Sequence, residues 1–123
     1  MASAVAVSPT VNAPMRWAGV AEFAVQNLSG QRLVYSVPSG VNFMLTDLIV
    51  GNISTSTYFT VYAASGNCAT PVRHNLRNVV VPGTDTVSIS LVTGIRFPAG
   101  QKVCVSTPGT LQFNARGFLF LPT

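Results

Sequence analysis

Apolar and polar residues alternate along most of this chain, and Pro/Gly triplets break the alternation. The clearest run is residues 85–92 (D-T-V-S-I-S-L-V). It places Val87, Ile89 and Leu91 on one face and Ser88 and Ser90 on the other. A period of two is the mark of a half-buried β-strand. Residues 31–50 show the same design around a corner: Q-R-L-V-Y-S-V, then P-S-G, then V-N-F-M-L-T-D-L-I-V. Val81-Pro82-Gly83-Thr84 and Phe97-Pro98-Ala99-Gly100 repeat the corner. Proline presets φ and removes a ladder donor, and glycine supplies φ > 0, so each triplet predicts a turn or a strand entry.

The pattern predicts eight strands in order. Residues 15–25 carry Trp17, Val20 or Ala21, Phe23 and Val25 in rough alternation, although Ala18, Ala21 and Ala24 leave a helix open there. Residues 26–30 (Q-N-L-S-G) predict a turn, and 31–37 a strand with Leu33, Tyr35 and Val37 on one face. In 41–50, strict alternation puts Phe43, Leu45 and Ile49 on one face and Met44, Leu48 and Val50 on the other. Such a strand is apolar on both faces and needs cover on both. Residues 52–56 form a polar turn. In 57–64, Phe59, Val61 and Ala63 oppose Tyr58, Thr60 and Tyr62. A loop over 64–71 precedes a polar, weaker strand at 72–81; after 85–92 comes a short extended piece at 94–97. Residues 101–107 turn Val103 and Val105 inward and leave Cys104 beside Lys102. Thr107-Pro108-Gly109-Thr110 predicts a hairpin turn into 111–121, where Gly117 marks a bulge. Eight evenly spaced strands predict an all-β, eight-stranded antiparallel jelly-roll sandwich. Residues 15–123 make this single domain, and residues 1–14, uncharged with Pro9 and Pro14, make an extended N-terminal arm.

Composition changes the picture in one respect. Charged residues are 8% of the 123, against about 25% in typical soluble domains. A surface so poor in charge refuses neighbours badly, and with the two-faced strand at 41–50 it predicts self-association or a place in a larger assembly. The net charge is +4, but the bases are spread along the chain, which argues against direct nucleic-acid recognition. No apolar run approaches the length of a membrane span. Residues 1–14 lack the basic start and long apolar run of a secretory signal. Cys68 and Cys104 permit one disulfide; for a protein made in the cytosol, two free buried thiols are the expected state.

Chemistry-bearing residues are few. The acids are Glu22, Asp47 and Asp85, and the only histidine is His74. Asp85 follows a Pro-Gly turn, where aspartate is expected. Asp47 lies between apolar neighbours and calls for an arginine partner, and Glu22 faces solvent or an interface. His74 with two separated cysteines makes no zinc-binding pattern. Neither a phosphate-binding Gly-rich loop nor G-x-S-x-G occurs. The expectation is a non-enzymatic protein with no cofactor and no metal. Aromatic residues and arginine dominate interface energetics, which puts forward Arg16, Trp17, Phe23, Arg96 and Arg116 as contact residues. Tyr58 and Tyr62, on one strand face, are the alternative: a platform for a sugar ring.

The motifs V-P-S-G…F-x-L-T-D-L-I-V-x-N and V-P-G-T…V-x-I-S-L-V-T-G-I-x-F-P-A-G-x-x-V-C-V resemble those of small jelly-roll proteins of tailed phages, of the capsid decoration (cement) type. The resemblance spans residues 31–120 and rests on structural corners. It implies a virion protein on the capsid surface, a homotrimer that staples neighbouring capsomers and grips the major capsid protein with its N-terminal arm. The alternative is a carbohydrate- or receptor-binding module of a tail fibre or of a secreted protein.

Overall fold

The computed structural model describes residues 16–121. The arm at 1–14 lies outside them. Six strands make up the fold: β1 Arg16–Ser36, β2 Asn42–Gly51, β3 Thr57–Ala64, β4 Pro71–Val81, β5 Thr86–Phe97 and β6 Lys102–Leu121. All pair antiparallel in one sheet of order β4-β3-β6-β2-β5, with β1 laid along β6. No helix occurs among the described residues. The expected all-β antiparallel architecture is therefore present, with six strands rather than eight.

The difference in count has a physical cause. The turn expected at 26–30 and the hairpin expected at 107–110 both lie inside continuous strands, because β1 and β6 pair with each other from Arg16↔Leu121 to Ser36↔Lys102. The ladder is irregular between Val25 and Leu28 and between Ser29 and Gly30. Pro108 sits in the matching gap, with Gly30 opposite Thr107 and Ser29 opposite Thr110, so its missing N–H breaks no pair. At this gap β6 changes partners: residues 102–106 pair with β3, and 112–120 with β2. The buried Thr107 hydroxyl donates to the Tyr58 carbonyl (2.7 Å) and accepts from the Gly109 amide (3.2 Å).

The sheet curls back on itself at this point. Phe23 and Tyr35 belong to the same strand, and twelve residues of extended chain would span about 40 Å. Their rings nevertheless stack with centroids 4.9 Å apart. Tyr35 reaches Phe43 (5.0 Å), and Phe59 meets Phe113 edge-on at 6.1 Å. Leu45, Leu48, Val50, Val61, Val81, Phe97 and Val105 fill the space between. Each such side chain contributes roughly 1.5–3 kcal/mol when taken fully out of water.

Strand β2 corrects the expectation of two apolar faces. Thr46 is an extra residue between Leu45↔Gly117 and Asp47↔Arg116, a bulge that shifts the alternation by one. Phe43, Leu45, Leu48 and Val50 all become core, while Thr46 and Asp47 are half-buried and Ile49 is 49% exposed. The strand thus needs no cover from outside on this ground. The bulge lies on β2, opposite Gly117, and not at Gly117 itself. On β1, Leu33 is exposed rather than inward, because the register slips between Leu33 and Tyr35.

The Pro/Gly corners work in pairs. The 37–40 turn clasps the 97–100 turn: the Val37 amide donates to the Gln101 carbonyl (2.9 Å), and the Gly100 amide to the Val37 carbonyl (3.1 Å). Gly40 and Gly100 take φ of +84° and +82°, open to glycine at little cost. The buried Asn42 side chain accepts from the Ala99 amide (3.0 Å). The 81–84 corner clasps the polar turn after β2 in the same way. Buried Asn52 donates to the carbonyls of Thr55 (2.8 Å) and Val81 (3.1 Å) and accepts from the Ser54 amide (3.0 Å).

Cys68 and Cys104 form a disulfide, Cα–Cα 5.8 Å, against the expectation of free thiols. Cys104 does point away from the Val103 and Val105 face. The loop at 65–70 folds over that outer side, and Tyr62, Ala64, Cys68 and Cys104 form a second small core there.

Candidate functional site

Three surface features stand out. The first is the outer edge of β1. This strand pairs with β6 on one side, and no described strand pairs with the other. An edge of 21 residues presents a row of main-chain donors and acceptors to any incoming strand. At its start Trp17 is 64% and Val20 54% exposed, with Leu121 beside them at the end of β6. The Trp17 ring stacks on Phe118 (5.5 Å, 21° between planes), which holds it in place without burying it.

The second is a trough of about 710 Å³ across β5, β2, β6 and β1. Register aligns Ser90, Asp47, Arg116 and Glu22 in one row across it. Arg116 pairs with Glu22 (3.1 Å), both side chains being about two-thirds exposed. Such a pair contributes at most about 1 kcal/mol. Asp47 faces Arg116 in the ladder but has no salt bridge among the described residues; its carboxylate accepts from the Thr46 hydroxyl (2.9 Å). It is half-buried, so the expected buried aspartate–arginine pair is replaced by this local bond.

The third is a smaller groove of about 280 Å³ on the other half of the molecule, lined by Gln31, Tyr62, His74, Arg77, Asn78 and Ser106 among others. His74 Nδ1 lies 3.4 Å from Arg77 Nη2, and its ring is 5.6 Å from that of Tyr62. A bulge in β4 brings these groups together. Residues 77–78 stand against Thr60 between the pairs Phe59↔Val79 and Val61↔Leu76, and Asn78 takes φ +50°. The Thr60 hydroxyl accepts from the Asn78 amide at 3.0 Å.

The residues singled out in the sequence do not form one patch. Arg16 and Trp17 are exposed together at the start of β1. Phe23 is half-buried, its ring packed against Tyr35 and Phe43, and it also lines the trough. Arg116 lies mid-strand in the trough, and Arg96 is exposed on β5, where its carbonyl accepts from Arg73. The Tyr58/Tyr62 platform is not formed. Tyr58 is 44% exposed, but Tyr62 is covered by the disulfide loop and donates its hydroxyl to the Cys68 carbonyl (2.9 Å). Alternation placed the two tyrosines on one face; only the loop's path determines that one is covered. Among the described residues no group of three or more His, Cys, Asp or Glu side chains could hold a metal. The edge of β1 and the β4 bulge are the features that sequence reading missed. Both depend on which strands pair.

Burial pushes the Tyr62 phenol above its ordinary value of 10, with a hydrogen bond to Gln31 pulling the other way; burial alone raises Tyr35. A raised folded-state value means that the unfolded chain loses these protons first. The stability they contribute is therefore complete below pH 10 and is lost as pH climbs from there towards the folded values. Denaturation midpoints measured from neutral to strongly alkaline pH should stay flat and then fall above pH 10. Tyr35→Phe with Tyr62→Phe should blunt the fall; an undiminished fall in that variant would assign it to other groups.

No protein-family model matches this sequence and neither does any curated protein, so its function is to be read from this edge, this trough and this groove.

Proposed function

We propose that the protein is a capsid decoration protein of a tailed phage, a homotrimer that staples neighbouring capsomers through contact with the major capsid protein. The observation that carries the reading is the edge of β1 that no described strand pairs with, beginning at exposed Trp17, on a chain with 8% charged residues. Three charged residues, Arg16, Glu22 and Arg32, lie along it, and an unpaired strand edge is a template for pairing.

The fold reading is a jelly-roll sandwich. Dividing β1 and β6 at their irregular midpoints gives eight segments, in two rows ordered 1-8-3-6 and 2-7-4-5. The Phe23–Tyr35 and Phe59–Phe113 contacts join the rows. Interleaving of this kind supports a jelly roll over a simple meander. The disulfide suits a particle surface, since such bonds persist on virions and in secreted proteins.

Sedimentation at micromolar protein should give a trimer. Trp17→Ala should leave the melting temperature nearly unchanged, because the ring is mostly exposed, and weaken association by about 2 kcal/mol, roughly thirtyfold. Deleting residues 1–14 should likewise leave the fold intact and weaken binding to particles. A monomer at every concentration that also fails to bind capsids would sink the reading, and full particle binding after the deletion would remove the arm from it. The second reading, a carbohydrate- or receptor-binding module of a fibre or secreted protein, is favoured by the polar groove on β4.

A further inference from the structure

The groove on β4 combines three independent features. Its lining includes no carboxylate, while Arg77 has no acidic partner among the described residues. The guanidinium lies beside His74, its Nη2 3.4 Å from the ring Nδ1. The backbone that presents it is irregular. Asn78 adopts left-handed φ inside a strand, in the bulge that turns Arg77 and Asn78 toward the groove. Bulges re-aim side chains and collect beside binding sites, and an off-pattern backbone is retained where its surroundings hold it. Around the charge stand neutral hydrogen-bonding side chains from two other strands, Gln31 of β1 and Ser106 of β6, while the Thr60 hydroxyl of β3 is already bonded to Asn78. The His74 ring, exposed and tilted 35° to Tyr62, supplies an apolar surface.

We propose that this groove binds an acidic sugar, a single ring carrying a carboxylate. A guanidinium pairs with a carboxylate through two parallel hydrogen bonds. Amide and hydroxyl groups match ring hydroxyls, and the imidazole face takes the C–H face of the ring. The space, about 280 Å³, lies at the small end of ligand sites and suits one ring. Tyr62 serves only as the floor, since its hydroxyl is committed to Cys68. The site does not depend on the capsid reading and would act equally on a decoration protein or a fibre module.

The test is a two-dimensional amide NMR titration of the intact chain with methyl glucuronide, methyl glucoside and inorganic phosphate. The glucuronide should give saturable shifts centred on Gln31, Thr60, His74, Arg77, Asn78 and Ser106. The neutral glucoside and phosphate should each bind about tenfold more weakly or worse. Arg77→Gln should lose about tenfold in glucuronide affinity, its spectrum elsewhere confirming the fold, whereas Arg116→Gln, in the other trough, should bind as the wild type does. Equal response to glucoside or to phosphate would overturn the proposal. So would a lack of saturable shifts in these residues, an unchanged Arg77→Gln, or a loss shared by Arg116→Gln.

Discussion

Gly117→Ala should bring the protein close to unfolding. Gly117 is buried in β6, paired with Ala21 of β1 on one side and Leu45 of β2 on the other. A Cβ at this position would lie 2.0 Å from the Met44 carbonyl oxygen and 2.7 Å from Phe43 Cε1. The first of these is main chain, and it cannot swing aside. Met44 is itself fixed between β5 and β6, opposite Arg96 and Phe118, so relief requires prising β2 from β6 along the bulge at Thr46. Overpacking a core ordinarily costs about 1–3 kcal/mol. A clash with main chain between two paired strands belongs to the rare class costing on the order of 4 kcal/mol or more. Whole domains have about 5–15 kcal/mol to lose. Gly40→Ala separates shape from backbone preference: its Cβ would meet nothing within 4 Å, but φ is +84°. That variant should lose only about 1–2 kcal/mol. Urea denaturation of both variants measures the contrast, and a Gly117→Ala protein within 1 kcal/mol of wild type would refute the close-approach account.

Reducing the Cys68–Cys104 bond should cost about 3–4 kcal/mol, the chain-entropy value for a loop closed over 36 residues. For a chain of this length that corresponds to a fall in melting temperature of roughly 10–15 °C. The effect has a local signature as well. The bond pins the 65–70 loop over Tyr62 and Ala64, while the main core around Phe43, Phe59 and Phe113 contains neither cysteine. Cys68→Ser with Cys104→Ser should therefore keep a native far-ultraviolet spectrum while exposing the Tyr62 ring to solvent and speeding amide exchange over the loop. Thermal melts with and without a thiol reductant provide the measurement. Equal melting temperatures would show that the loop is held by its own hydrogen bonds, such as those of the Thr70 hydroxyl to the Ser65 and Asn67 carbonyls.

Alternation by itself determined that the chain is all-β and antiparallel, and most of which residues face inward: Val87, Ile89 and Leu91 on β5, Phe59, Val61 and Ala63 on β3, Val103 and Val105 on β6. The Pro/Gly triplets at 38–40, 82–84 and 98–100 determined where three corners fall, whereas Pro108-Gly109 lies inside β6. A period of two follows from strand geometry alone, and turn chemistry acts over four residues, so both are written locally. Only the tertiary structure decided the rest, because strand pairing joins residues far apart in sequence. It made 16–36 and 102–121 continuous strands, since each supplies the other's ladder across signals that read locally as turns. It placed the bulge at Thr46, turning a strand that alternates on both faces into one with a single core face. It brought Cys68 to Cys104 across 36 residues and covered Tyr62. It left one edge of β1 without a partner among the described strands and set Arg77 beside His74 in a groove lined from four strands, an arrangement that no local pattern encodes.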